Sequence, residues 1–152
     1  MWKNAMASVW RHTPSFLRRW SMRLSQSRFT VSAGAVIFRD DGRVLLLEHR
    51  FRPGSGLGIP GGFIGKGEQP EAALHRELCE ETGLELTDVK YLTTRIIDTH
   101  VEVIFVARAN GEIKLAEFEI VSAEWADPAH LPKRLSRNQR ELIARAITSK
   151  PF

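Results

Sequence analysis

Hydrophobic and polar positions divide residues 29–147 into short strands and two helices. FTVSAGAVIF (29–38) is rich in β-branched and aromatic residues and reads as a strand. VLLLEH (44–49) is a nearly continuous apolar run and reads as a second, mostly buried strand. RDDGR between them carries an Asp-Gly turn signal, so the two strands form a predicted hairpin. RFRPGSGLG (50–58) is a Gly/Pro/Ser loop, IPGGFI a short extended stretch, and GKGEQ a further loop. In PEAALHRELCEET, Pro70 stands at a helix first position, and Gly83 follows as a stop signal. ELTDVKYLTTRIID and HVEVIFVARA read as strands, followed by an Asn110–Gly111 turn and one more strand ending near Trp125. SRNQRELIARAITS spaces Leu142, Ile143 and Ile147 helically, with Ser136 as the cap.

This order predicts an α/β (α+β) fold, a mixed β-sheet flanked by helices in a layered sandwich. Strand pairs joined by tight turns outnumber parallel crossover units, which argues against a doubly wound fold. At 152 residues the chain supports one domain with a real core. No internal repeat or second linker interrupts it.

Composition adds limits. The longest apolar runs, such as VIFVA, are far too short to span a bilayer. A single cysteine, Cys79, excludes an internal disulfide framework and fits a reducing compartment, so a cytoplasmic location is expected. No Cys/His cluster has structural-zinc spacing.

The net charge of +4 is unevenly distributed. Residues 1–30 contain Lys3, Arg11, Arg18, Arg19, Arg23 and Arg28 and no acid, which leaves 16 basic against 18 acidic residues in the rest. Residues 1–28 therefore read as a basic extension and 29–152 as the domain proper. Within the extension, Leu17, Trp20 and Leu24 share one helical stripe, with Pro14 able to open the helix. Such a helix packs on the domain or on a second subunit of a homodimer, touches a membrane surface or acidic partner, or belongs to an Arg-rich organelle-targeting peptide. The slightly acidic body argues against extensive nucleic-acid contact.

The chemistry concentrates in RELCEETG (76–83). Glu77, Glu80 and Glu81 are neighbours on one helical face, near the end where the backbone dipole is also negative. Two carboxylates about 4 Å apart repel by roughly 4 kcal/mol at an effective dielectric of about 20, and by about 1 kcal/mol in water. A solvated acidic face is one reading of that crowding. A divalent cation held by the three carboxylates is the other.

The residues upstream favour the second. Gly62, Glu68, Arg76, Glu77, Leu78, Glu80, Glu81, Gly83 and Leu84 complete the 23-residue pattern G-x5-E-x7-R-E-U-x-E-E-x-G-U, U being aliphatic. The chain resembles the Nudix hydrolase superfamily, over roughly residues 30–147. The resemblance implies a Nudix-type α/β/α sandwich and a pyrophosphohydrolase using Mg2+, with Mn2+ as a substitute. It makes Glu77, Glu80 and Glu81 the metal-binding glutamates and the Gly61 carbonyl an extra ligand. Arg76 then orients Glu77 and links to Glu68, which supports the site without touching metal. Glu77 or Glu80 takes the proton from water, unless a glutamate outside the pattern does; Glu102, Glu117 and Glu119 are those candidates.

The turn at Gly61–Gly62 suits this role, because glycine lets backbone approach the carboxylates closely. Arg50 and Arg52 are candidates for clamping phosphate, against a reading as loop charges. His100 and Glu102 share one face of an alternating strand and are candidate pocket residues. Cys79 is expected to pack, and Trp125 to be core or a lid over it. The implied substrate leans toward a nucleoside diphosphate linked to another moiety, of the ADP-ribose or nucleotide-sugar type. Nucleoside triphosphate sanitising and a non-catalytic nucleotide-binding regulator are the alternatives.

Overall fold

The computed structural model of the chain describes residues 14–17, 27–52, 54, 56–116 and 118–149. Seven strands form one sheet: β1 (Thr30–Phe38), β2 (Val44–His49), β3 (Leu57–Gly58), β4 (Gly61–Phe63), β5 (Glu85–Ile97), β6 (His100–Asn110) and β7 (Ile120–Ala126). Helices α1 (Pro70–Thr82) and α2 (Arg137–Thr148) pack against it. The main path runs β3-β2-β1-β6-β5, with β4 pairing β1 and β7 pairing β2. β1 lies parallel to β6 from Thr30–His100 to Phe38–Arg108, and every other pairing is antiparallel.

Strand alternation builds two cores. Ala33, Ala35 and Ile37 of β1 face the first, while Val36 faces the second. Leu45 and Leu47 of β2 likewise oppose Val44 and Leu46, and Phe105 and Ala107 of β6 oppose Ile104 and Val106. The first core closes on Ala73, Leu74 and Leu78 of α1, the second on Leu142, Ile143 and Ala146 of α2. The two helices thus cover opposite faces of the sheet, which makes the mixed α/β/α sandwich. Leu74 and Leu78 are fully buried, each contributing about 1.5–3 kcal/mol by leaving water.

Local signals set the element ends. The β1–β2 hairpin is closed by Arg39 N–H to Arg43 O (2.9 Å) and Gly42 N–H to Arg39 O (2.9 Å). Pro70 opens α1, and Gly83 ends it in a left-handed cap with its N–H on Cys79 O. Ser136 caps α2 by accepting from Gln139 N–H. Ile147, expected on the buried stripe of α2, is exposed, and Ala146 takes the inward position beside Leu142 and Ile143. The reason is phase: position 146 lies three and four residues on from the two buried anchors. Trp125 packs partly buried against the first core, with the Arg39 guanidinium 5.3 Å from its ring centre.

Residues 15–17 form a helical turn after Pro14, closed by Leu17 N–H to Pro14 O at 3.0 Å, with Phe16 and Leu17 exposed. Trp20 and Leu24 of the expected stripe, with Arg18, Arg19 and Arg23, lie outside the described residues. Among the described residues no helix is long and apolar enough to cross a membrane.

Candidate functional site

The C-terminal half of α1, the β4 strand beside it and the end of β2 meet around one cavity. α1 ends with Glu80 and Glu81 and no basic residue in its last turn, so the helix dipole adds to the carboxylate repulsion. Two of the carbonyls at that end are satisfied by a passing chain: Lys114 N–H bonds Thr82 O (2.7 Å) and Ala116 N–H bonds Glu81 O (3.0 Å). Those two bonds dock the segment leading to Glu119 against the helix end.

Glu81 is buried, at 5% exposure. Its Oε1 stands 3.4 Å from His49 Nδ1, and its Oε2 has no hydrogen-bond partner among the described residues. Burial first, and the Glu77 charge second, push the Glu81 carboxyl up to about 8. Burial, helped by the positive Arg52, pushes the His49 imidazole down to about 4. The His49–Glu81 contact at neutral pH is therefore between a neutral ring and a largely protonated acid, not an ion pair. His49 Nε2 is also buried without a partner among the described residues.

The other side of the helix is fully connected. Arg76 grips Glu68 with two parallel bonds, Nε to Oε1 at 2.9 Å and Nη2 to Oε2 at 3.0 Å. Its Nη1 donates to Glu77 Oε1 (2.9 Å) and Glu80 Oε2 (3.3 Å), and Nη2 also reaches Phe63 O (3.2 Å). Glu68 Oε2 accepts the Gly65 N–H at 2.7 Å. Arg76, and then the Gly65 N–H, hold the Glu68 carboxyl down at about 2. Arg76 thus joins Glu68 to Glu77. A Cβ on Gly62 would stand 2.1 Å from Glu77 Cδ, so only glycine lets β4 lie this close to that carboxylate. One on Gly61, at φ 153°, would meet Ala33 O at 2.4 Å.

The three glutamates expected to hold metal have different surroundings here, and among the described residues their side chains are not drawn together into one group. Arg76 draws Glu77 and Glu80 toward Glu68, while Glu81 turns inward to His49. Glu80 is 63% exposed at its side chain and does not line the cavity.

The cavity has a volume of about 580 Å³. Glu77, Glu81 and Glu119 line it together with Arg52, His100 and Glu102, and so do Gly61 and Gly62. Arg52 sits under the influence of both Glu81 and Glu102, and its Nη1 donates to Ile59 O at 3.4 Å. Arg50 is elsewhere: it is exposed, with Nε on Phe118 O at 3.1 Å. His100 is held by Thr30 Oγ1 at Nδ1 (2.6 Å) and Ser32 Oγ at Nε2 (2.9 Å), with Phe63 edge-on at 5.7 Å. Glu102 is paired with Arg95. Glu117 lies outside the described residues. Cys79 is exposed instead of packed, because its position on α1 faces neither core.

His49 and Gln139 are among the cavity residues that escape a reading of the sequence. His49 is visible only as a polar residue ending an apolar run. Gln139 leaves no signal: it reaches the cavity from α2, where its Oε1 accepts the Ile59 N–H at 3.1 Å.

Comparison with known proteins gives this geometry a context. The family described as NUDIX domain matches residues 28–146. A MutT-like protein of Streptomyces ambofaciens is 33% identical over 113 residues, which is 70% of this chain and 70% of that protein. The NAD-capped RNA hydrolase NudC of Pasteurella multocida is 34% identical over 95 residues, 60% of this chain, and the match spans 36% of that relative's length. The crystal structure of a MutT NUDIX hydrolase from Burkholderia pseudomallei aligns with a TM-score of 0.70 at 29% identity, covering 78% of this chain and 98% of that one.

Proposed function

The chain belongs to the NUDIX domain family and is a hydrolase acting on diphosphate bonds; from that premise we propose that it is a Mg2+-dependent pyrophosphohydrolase cleaving a nucleoside diphosphate linked to another moiety. The observation that carries the reading is Glu81. A buried carboxyl with one oxygen unpartnered among the described residues is costly unless a ligand completes it. That oxygen belongs to a side chain lining a cavity with Glu77, Glu119 and the glycine turn in its wall. Hard divalent cations prefer such oxygen donors, so the donor set fits Mg2+, with Mn2+ as a substitute.

Glu77, Glu81 and the Gly61 carbonyl would hold the ion, with Glu80 beside them on the helix. When bound, the ion neutralises phosphate oxygens and lowers the pKa of water. The rest falls to the chain's own side chains. Arg76, anchored by Glu68, fixes the Glu77 carboxylate. Glu77 lines the cavity and Glu80 does not, so Glu77 is assigned as the acceptor of the proton from the attacking water. Arg52, which lines the same cavity, supplies positive charge to the diphosphate. His100, locked by two hydroxyls, and Glu102, paired with Arg95, shape the wall that meets the rest of the substrate.

The NudC relatives favour the diphosphate-linked class, since NAD joins two nucleosides through a diphosphate. The MutT-like relative, which covers more of the chain, supports a second reading, a nucleoside triphosphate pyrophosphohydrolase. The complete Glu68–Arg76–Glu77 network speaks for an enzyme over a nucleotide-binding regulator. NADH, ADP-ribose, UDP-glucose, dATP and GTP, each with Mg2+ or Mn2+, would be scored for nucleoside monophosphate release. Turnover of one of the first three is expected. Turnover of the triphosphates alone would transfer the assignment to the second reading, and no metal-dependent turnover of any would overturn both.

A further inference from the structure

Two neighbouring side chains bring N–H donors to the cavity wall. Arg52 and Gln139 both lean over Gly58: a Cβ there would meet Arg52 Nη1 at 2.6 Å, Gln139 Cδ at 3.3 Å and Gln139 Nε2 at 3.4 Å. The amide orientation of Gln139 is set, because its Oε1 accepts the Ile59 N–H at 3.1 Å. Its NH2 group is therefore the free end of the amide. Arg52 makes one long bond, to Ile59 O, so most of its five N–H donors have no acceptor among the described residues. Both residues line the same cavity. Guanidinium and amide donors side by side match the oxygens of an anion.

We propose that Gln139 and Arg52 form a phosphate-oxygen subsite for the substrate's diphosphate. The inference rests on the diphosphate reading above and adds a specificity residue from α2. Arg52 contributes charge, and Gln139 contributes direction. The arrangement also ties α2 to the turn that carries Gly61 and Gly62, since Ile59 is the backbone link between them.

The test uses the full chain and two substitutions. Gln139→Glu keeps an oxygen for the Ile59 N–H but replaces the donor with a negative acceptor. Gln139→Lys gives up that oxygen and keeps a cationic donor. Each is assayed on the best substrate of the panel, and for affinity toward α,β-methylene-ADP by calorimetry. Gln139→Glu is expected to raise KM and the probe Kd at least tenfold with kcat within threefold of the parent. Gln139→Lys is expected to bind the probe at least threefold more tightly than Gln139→Glu does. Should Gln139→Glu not fold, the lysine variant decides: retained probe affinity supports the subsite, and a tenfold loss overturns it. An active parent with Gln139→Glu binding the probe equally well overturns the subsite alone. A parent inactive on every diphosphate removes the functional reading and the subsite with it.

Discussion

Two carboxylates a single helical turn apart have opposite surroundings. Glu77 sits in a network where Arg76, Glu68, Glu80 and two backbone groups find partners. Glu81 sits against His49, and each keeps one buried polar atom without a partner among the described residues. The outer network is finished by the protein itself and holds Glu77 in place. The inner pair is unfinished and reads as a receptor for something the chain does not supply. Electrostatics follows the same division: partners hold Glu68 down at about 2, while burial and a like charge push Glu81 up to about 8.

Removing the inner charge should have the largest effect. Glu81→Gln is expected to lower kcat/KM about 10³-fold, measured by steady-state kinetics with Mg2+. Because it also relieves a buried, repelled carboxylate, the metal-free variant should melt no lower than the parent at pH 8.5. A variant that keeps parental activity would break the comparison.

Cutting the outer network comes second. Arg76→Ala leaves Glu68 without its guanidinium and frees Glu77, and loss of such supporting contacts typically costs 10–100-fold in affinity or activity. Mn2+ titration followed by electron paramagnetic resonance would check whether the loss lies in metal affinity. Arg76→Lys should recover little, since an ammonium does not reproduce the paired bonds to Glu68.

The pH dependence of stability is the third test. Glu81 has a raised pKa, so its contribution is fully present below the ordinary carboxyl range and is lost as pH rises through about 8. His49 is lowered, so its contribution is present above about 6.5 and is lost as pH falls through about 4. The two oppose each other in mildly acid solution, and above about pH 6.5 Glu81 acts alone. The metal-free chain should lose about 2 kcal/mol of stability between about pH 6.5 and 8. Urea unfolding across that window would measure it, and Glu81→Gln should flatten the slope.

The smallest effect belongs to Cys79, which shares the helix with both regions but touches neither. Cys79→Ser should change stability by less than about 0.5 kcal/mol and leave activity within twofold. A large loss of activity would point to thiol chemistry and away from the carboxylate site.

Much of this molecule follows from its sequence alone. Runs of apolar, β-branched and aromatic residues marked the strands, Pro70 and Gly83 bounded α1, and the spacing from Gly62 to Leu84 singled out Glu68, Arg76 and Glu77, which the structure joins. These features are local: they depend on residues within a few turns of one another, where periodicity and cap chemistry act. Tertiary structure alone decided which glutamate is buried, that His49 lies against it, that Arg52 and not Arg50 enters the cavity, and that Gln139 reaches there from α2. Each depends on burial and on partners brought together from separate elements. Desolvation and hydrogen-bond choice are set by what surrounds a group in space, and no spacing along the chain encodes that.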